Sequence, residues 1–238
     1  MIKLTGVSLA RNKRVILEDL NWEVKKGEHW AVLGGNGAGK TMLLKMLSGY
    51  LWPSKGEIFV LGKKFGEVDL SALRQTIGWV SFDLQKVVGE VSACEVVLSG
   101  YFASIGLYKK PTEQILKRAD KLLKFVGLKE HKDNLFSHLS YGEQKKILIA
   151  RSLISKPKLL LLDEPCSGLD MKAREEFLLF VDKVAKQKNG PTIILVTHHL
   201  EEIIPGMTHV LALKQGQIVG KGEKREILTE ALIKKVFA

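Results

Sequence analysis

Cysteine is scarce in this chain: only Cys94 and Cys166 occur, with no C-x-x-C spacing. Two such residues do not make a disulfide framework, so a reducing, cytosolic setting is expected. Long apolar runs are missing as well. No stretch approaches the roughly 18 uninterrupted apolar residues of a membrane span, so no segment is expected to cross a bilayer. The opening Met1-Ile2-Lys3-Leu4-Thr5-Gly6 lacks the apolar core of a secretion signal. Internal repeats, low-complexity tracts and long linkers are absent. There is no single basic run either: 37 Lys and Arg stand against 26 Asp and Glu, a formal charge of +11, and the cations are scattered. A scattered surplus favours a solvated surface first, an anionic leaflet second and nucleic acid third.

What is present is an ordinary globular composition, 45% hydrophobic and 26% charged over 238 residues. That supports one large α/β domain, or a core domain with a smaller lobe. The stretch Gly34, Gly35, Asn36, Gly37, Ala38, Gly39, Lys40, Thr41 reads G-x-x-x-x-G-K-T. It follows the apolar run Trp30–Leu33, a short buried strand, and precedes the helix formers Met42–Leu47, with Gly49 as a stop. Strand, glycine loop and helix make the context of a phosphate-binding loop. Backbone N–H groups curl around an anion there, and the helix N-terminus adds partial positive charge. Lys40 is expected to reach the β/γ-phosphates, and the Thr41 hydroxyl to hold Mg²⁺.

The rest of the chain alternates. Residues 2–33 are β-rich, with Ile2–Leu4, Val15–Leu17 and Trp22–Val24 as strand segments. Further strands are expected at Glu57–Leu61, Ile77–Val80, Leu159–Leu162 and Thr192–Val196. A terminal hairpin pairs Val210–Leu213 with Gln217–Val219. Helices are expected after Gly142, from Met171 to about Lys186, in a short piece before Pro205, and near Leu228–Phe237. From Ser92 to about Phe136 strand signal is weak, while Ile115, Ala119, Leu122 and Val126 mark an amphipathic helix ended by Gly127. The fold class is therefore α/β, a mostly parallel sheet core with an N-terminal antiparallel β-subdomain. A helical lobe at about 90–138 is inserted, within a single domain 1–238.

Four further elements accompany the loop. The apolar strand Leu159–Leu162 ends in Asp163 and Glu164, beside the phosphate loop if the sheet is parallel. Asp163 would assist Mg²⁺ and Glu164 would polarise an attacking water. Leu139-Ser140-Tyr141-Gly142-Glu143-Gln144 opens a helix as a second anion site. Ser167-Gly168-Leu169-Asp170 follows, and then His198 at a strand end, placed as a γ-phosphate sensor.

These elements, in this order and over nearly the whole chain, resemble the ATP-binding cassette (ABC) ATPases. In that family's terms Gly34–Thr41 is the Walker A loop, and Leu159–Asp163 is Walker B with Glu164 as catalytic carboxylate. Leu139–Glu143 is the signature, Ser167–Asp170 the D-loop and His198 the switch histidine. The resemblance implies an ATPase using ATP and Mg²⁺, with Lys40, Glu164 and His198 catalytic and Thr41 and Asp163 on the metal. It implies a homodimer, or a pair with a second ATPase subunit, on ATP binding, in which Ser140 and Gly142 cap ATP held by the partner, and a helical lobe docked on an integral-membrane permease at the inner face of the membrane. A solute-binding protein joins if the system is an importer, and no nucleic acid is expected. Gly27-Glu28-His29-Trp30 and the terminal hairpin look most like uptake cassettes of the metal-chelate or molybdate kind.

Three positions depart from the family pattern. Tyr141 replaces a signature glycine. Arg11 stands where an aromatic stacks on adenine, though its guanidinium can stack too. Phe82 occupies the place of the Q-loop glutamine, with Gln85 three residues on; Gln85 is expected to contact Mg²⁺ and water across a longer loop, or else that contact is altered. Cys166 reads as a small spacer. A non-transport ABC ATPase acting on nucleic acid or the ribosome is the alternative function, and a weakly hydrolysing nucleotide-binding regulator a third.

Overall fold

The computed structural model describes residues 1–81, 88–104, 106–107 and 109–237. β1 (Ile2–Arg11) and β2 (Arg14–Val24) form a long antiparallel hairpin, turned at Asn12 and Lys13 with φ of 49° and 63°. The segments read separately at Val15–Leu17 and Trp22–Val24 are one strand. Burial jumps from Leu17 to Leu20, Asp19 takes φ 45°, and the register against β1 shifts there. A bulge of this kind breaks the period-two pattern without breaking the strand.

β3 (Trp30–Leu33) runs into the glycine loop and α1 (Lys40–Leu47). β4 (Lys55–Val60) returns to pair with β1 and with the two-residue β5 (Lys63–Lys64), giving the antiparallel sheet β2-β1-β4-β5. Leu61, expected as strand, turns the chain at φ 55°. α2 (Leu70–Arg74), capped by Asp69, leads to β6 (Ile77–Ser81). Between β6 and β7 (Leu159–Asp163) the described residues hold α3 (Ala93–Ser99), α4 (Glu113–Phe125), α5 (Tyr141–Leu153) and one isolated bridge, Ser92 to Leu135. α4 buries Ile115, Ala119 and Leu123, Leu122 being only half-buried, and Gly127 follows it at φ 77°.

α6 (Met171–Ala185), β8 (Thr192–Thr197), β9 (His209–Lys214) and β10 (Gln217–Glu223) complete the core. α7 (Lys224–Ile227) and α8 (Glu230–Phe237) follow. The short helix expected before Pro205 is a single 3₁₀ turn, Leu200–Glu202. No helix among the described residues is long and apolar enough to cross a membrane.

The second sheet has the order β10-β9-β3-β8-β7-β6, parallel from β9 to β6, with β10 antiparallel at its edge. Every residue of β3, β7 and β8 is buried, as expected of parallel strands covered on both faces. Alternate residues serve two separate cores. Leu159 and Leu161 join α1 and the antiparallel sheet, whereas Leu160 and Leu162 join α3 to α6. Parallel register brings the carboxyl ends of β3, β8, β7 and β6 to one side. Leu33 pairs with Thr197, Asp163 with Val196, and Ser81 with Asp163.

Candidate functional site

The glycine loop leaves β3 at this shared edge. Its last glycine, Gly39, caps α1 at φ 98°, where no side chain covers the first-turn N–H groups. A Cβ there would meet Leu17 Cδ2 at 2.5 Å, so β2 presses directly on the loop. Lys40 is 5% exposed, and its Nζ donates to Gly34 O at 2.8 Å and Gly35 O at 3.1 Å. The same ammonium lies 3.3 Å from Glu164 Oε1. A buried cation is thus held over the concave face of the loop.

Thr41 Oγ1 donates to Asp163 Oδ1 at 3.1 Å, joining the first turn of α1 to the end of β7. Burial pushes the Asp163 carboxyl above its ordinary value of 3.8, the Thr41 hydrogen bond acting the other way. A raised acid pKa stabilises the fold most below the ordinary value, and that contribution is lost as pH rises through the folded value. Asp163→Asn keeps an acceptor for Thr41 and removes the buried charge. It should melt higher than the parent at pH 7 without nucleotide or metal, and the gap should close below pH 3.8; a pH series of thermal melts measures this.

Glu164, next along the chain, takes φ 46° and turns its carboxylate back across the edge. Glu164 Oε1 meets His198 Nδ1 at 3.2 Å as well as Lys40. His198 follows directly on β8, and its ring lies 4.0 Å from that of His199. Lys40, Glu164 and His198 therefore form one polar cluster, and the Thr41–Asp163 pair stands beside it. A hydroxyl and a carboxylate converge beside a phosphate cradle, and a second carboxylate stands where it can face water.

Other expected site residues lie apart. Ser140 and Glu143 form a capping box at the start of α5. Ser140 Oγ donates to Glu143 Oε2 at 2.8 Å, which holds that carboxyl below its usual range. Tyr141 is exposed, and Gly142 sits against α6, where a Cβ would be 3.7 Å from Ala173. Asp170 caps α6, accepting from Ala173 N at 2.8 Å. Arg11 is exposed at the hairpin tip, paired across it with Arg14. Among the described residues no hydrogen bond or ion pair joins Arg11, Ser140, Gly142 or Asp170 to the phosphate loop. Phe82 and Gln85 fall outside the described residues. Cys166 is buried, and burial pushes its thiol up to about 12, so it is chemically quiet. Sequence reading passed over Thr197, Glu202 and Lys145, all buried polar residues near this edge.

A phosphate loop opening a helix on a parallel sheet, with a carboxylate pair ending a neighbouring strand, defines a P-loop nucleoside triphosphatase. Within that class the chain belongs to the ABC transporter family, which matches residues 17–167. It is 46% identical over 239 residues to the uncharacterized ABC transporter ATP-binding protein YlmA of Bacillus subtilis (strain 168), covering 100% of this chain and 90% of that one. Among solved structures it resembles cbiO1 from Clostridium perfringens, part of the ABC transporter complex cbiONQ. That match has a TM-score of 0.85 and 30% identity, over 98% of this chain and 92% of the other. It also resembles the dimeric post-hydrolysis state of the cassette MJ0796 bound to ADP and Pi. There the TM-score is 0.78 and the identity 27%, over 94% and 98% of the two chains. The chain is accordingly an ATP-binding, ATP-hydrolysing subunit of an ABC transporter, and the nucleic-acid alternative is set aside.

Proposed function

We propose that this subunit works as a homodimer on ATP, with the γ-phosphate approached by groups of both copies, and that it powers a separate integral-membrane permease. The observation that carries the reading is the unbroken polar cluster from Lys40 through Glu164 to His198, set beside Thr41 and Asp163. In it Lys40 holds the β/γ-phosphate oxygens, and the loop N–H groups from Gly34 to Gly39 cradle them. A hydroxyl and a carboxylate 3.1 Å apart suit a hard divalent cation with oxygen ligands, so Thr41 and Asp163 are assigned to Mg²⁺. Bound there, the cation would neutralise charge on the phosphates. Glu164 orients and polarises the water that attacks in line, and His198 steadies both Glu164 and the γ-phosphate. Arg11 stacks on the base. Ser140 and Gly142 of the partner subunit close the site from the far side, with Asp170 shaping the same interface.

The whole chain is one cassette with the helical segment, about 90–138, as its docking lobe, seated on the inner face of the cell membrane. Gln85 is assigned to the loop that reports the γ-phosphate to that lobe. The uptake class of the metal-chelate or molybdate kind, with a solute-binding protein outside, is supported by the Gly27–Trp30 stretch and the terminal hairpin. Affinity purification from mildly solubilised native membranes should recover a multi-span membrane protein with this chain, and that complex should hydrolyse ATP. Recovery of the chain without any membrane protein, together with strong stimulation of turnover by DNA or RNA, would overturn the proposal.

A further inference from the structure

Thr197, the last residue of β8, is fully buried, and Glu202 beside it is a carboxylate only 3% exposed. Thr197 Oγ1 donates to Glu202 Oε2 at 2.5 Å and accepts from His199 N at 3.0 Å. Glu202 N in turn donates to His199 O at 3.3 Å. The 3₁₀ turn thus folds back so that Glu202 grips both ends of Thr197–His199, with His198 in the middle. Glu202, Thr197, His198 and Glu164 border one cavity of about 150 Å³, which Cys166 and Arg174 also line. Lys145, on α5, is 3% exposed. Burial pulls the Lys145 pKa down, and Glu202 acts to raise it.

A buried carboxylate is costly unless a cation and hydrogen bonds compensate it. An amide or an apolar residue could close the turn more cheaply, so the retained charge calls for a use. We infer that Glu202 is a positioning residue for ATP hydrolysis: through Thr197 it holds His198 against Glu164. The inference rests on the assignment of His198 to the γ-phosphate.

The experiment is steady-state ATP hydrolysis by the full chain, paired with thermal melts. Thr197→Val, which keeps shape and loses the hydroxyl, should lower kcat by about tenfold to a hundredfold, the scale expected from a misplaced group. Its KM for ATP should stay within about twofold, because the phosphate loop is untouched. Thr197→Ser, restoring the hydroxyl, should recover most of the rate. Glu202→Gln should show the same split. A merely structural role would lower the melting temperature and leave kcat per folded molecule unchanged. Wild-type kcat in folded Thr197→Val and Glu202→Gln, with an inactive His198→Ala, overturns this inference and leaves the active-site assignment standing. Normal turnover by His198→Ala overturns both.

Discussion

Lys40→Ala lowers the rate of ATP hydrolysis by at least about a hundredfold to a thousandfold, the scale on which loss of one preorganised charge or donor is felt. It also weakens ATP binding. The reason lies in where the ammonium is kept. Lys40 is held at 5% exposure by the carbonyls of Gly34 and Gly35 and by Glu164, so its charge is fixed inside the loop before nucleotide arrives. A fixed cation needs no reorganisation when charge develops on the transferred phosphoryl group. Alanine preserves the first turn of α1, since it is the best helix former, and so isolates the loss of charge. It also leaves the Glu164 carboxylate facing the phosphates uncompensated, which adds repulsion to the lost attraction. Phosphate release and titration with a fluorescent nucleotide read the two effects separately. Turnover near that of the parent would show that Gly34–Thr41 is no phosphate loop.

Glu164→Gln slows hydrolysis by at least roughly a hundredfold while ATP still binds. Glutamine has nearly the shape of glutamate, and Glu164 sits at φ 46°, a conformation strained to a similar degree for either residue. The exchange removes the charge proposed to polarise water and with it the ion pair to Lys40, while the carbonyls of Gly34 and Gly35 still hold that ammonium. With the nucleotide uncleaved, two subunits should stay associated, so light scattering in saturating Mg-ATP should report a dimer. Full turnover, or a monomer alone under those conditions, would argue against the two-copy site.

The residues most legible in the sequence were those whose chemistry is contiguous in the chain. Gly34–Thr41 announces itself because one turn must supply glycines, a lysine and a hydroxyl together. Asp163 and Glu164 do so because an all-leucine strand ends abruptly in charge. The sheet was legible for a related reason: buried parallel strands are unbroken apolar runs, as in Leu159–Leu162 and Thr192–Val196. β2 was read in two pieces because the bulge at Asp19 suspends its alternation. The grip of Glu202 on Thr197 carried no signal at all. A carboxylate on a short turn looks solvated until the packing around it is known, and Glu201, its neighbour, is indeed exposed. Lys145 was hidden likewise, one more lysine in a chain of many.

The alternation of side chains along β7 has a mechanical consequence. One face of this strand is clamped to α1 and the antiparallel sheet, the other to α5 and α6, so the strand is a party wall between two separately packed compartments. Asp163 and Glu164 stand at the end of that wall, Lys40 on one side and His198 at the seam. Close-packed interiors shift as units and do not flow. A tilt of the helical compartment would therefore be felt at the wall's end, where Glu164 meets Lys40, while α1 and the antiparallel sheet pack in the other compartment. The residues proposed to hold the nucleotide and those proposed to cleave it thus meet where two separately packed bodies of the same chain adjoin.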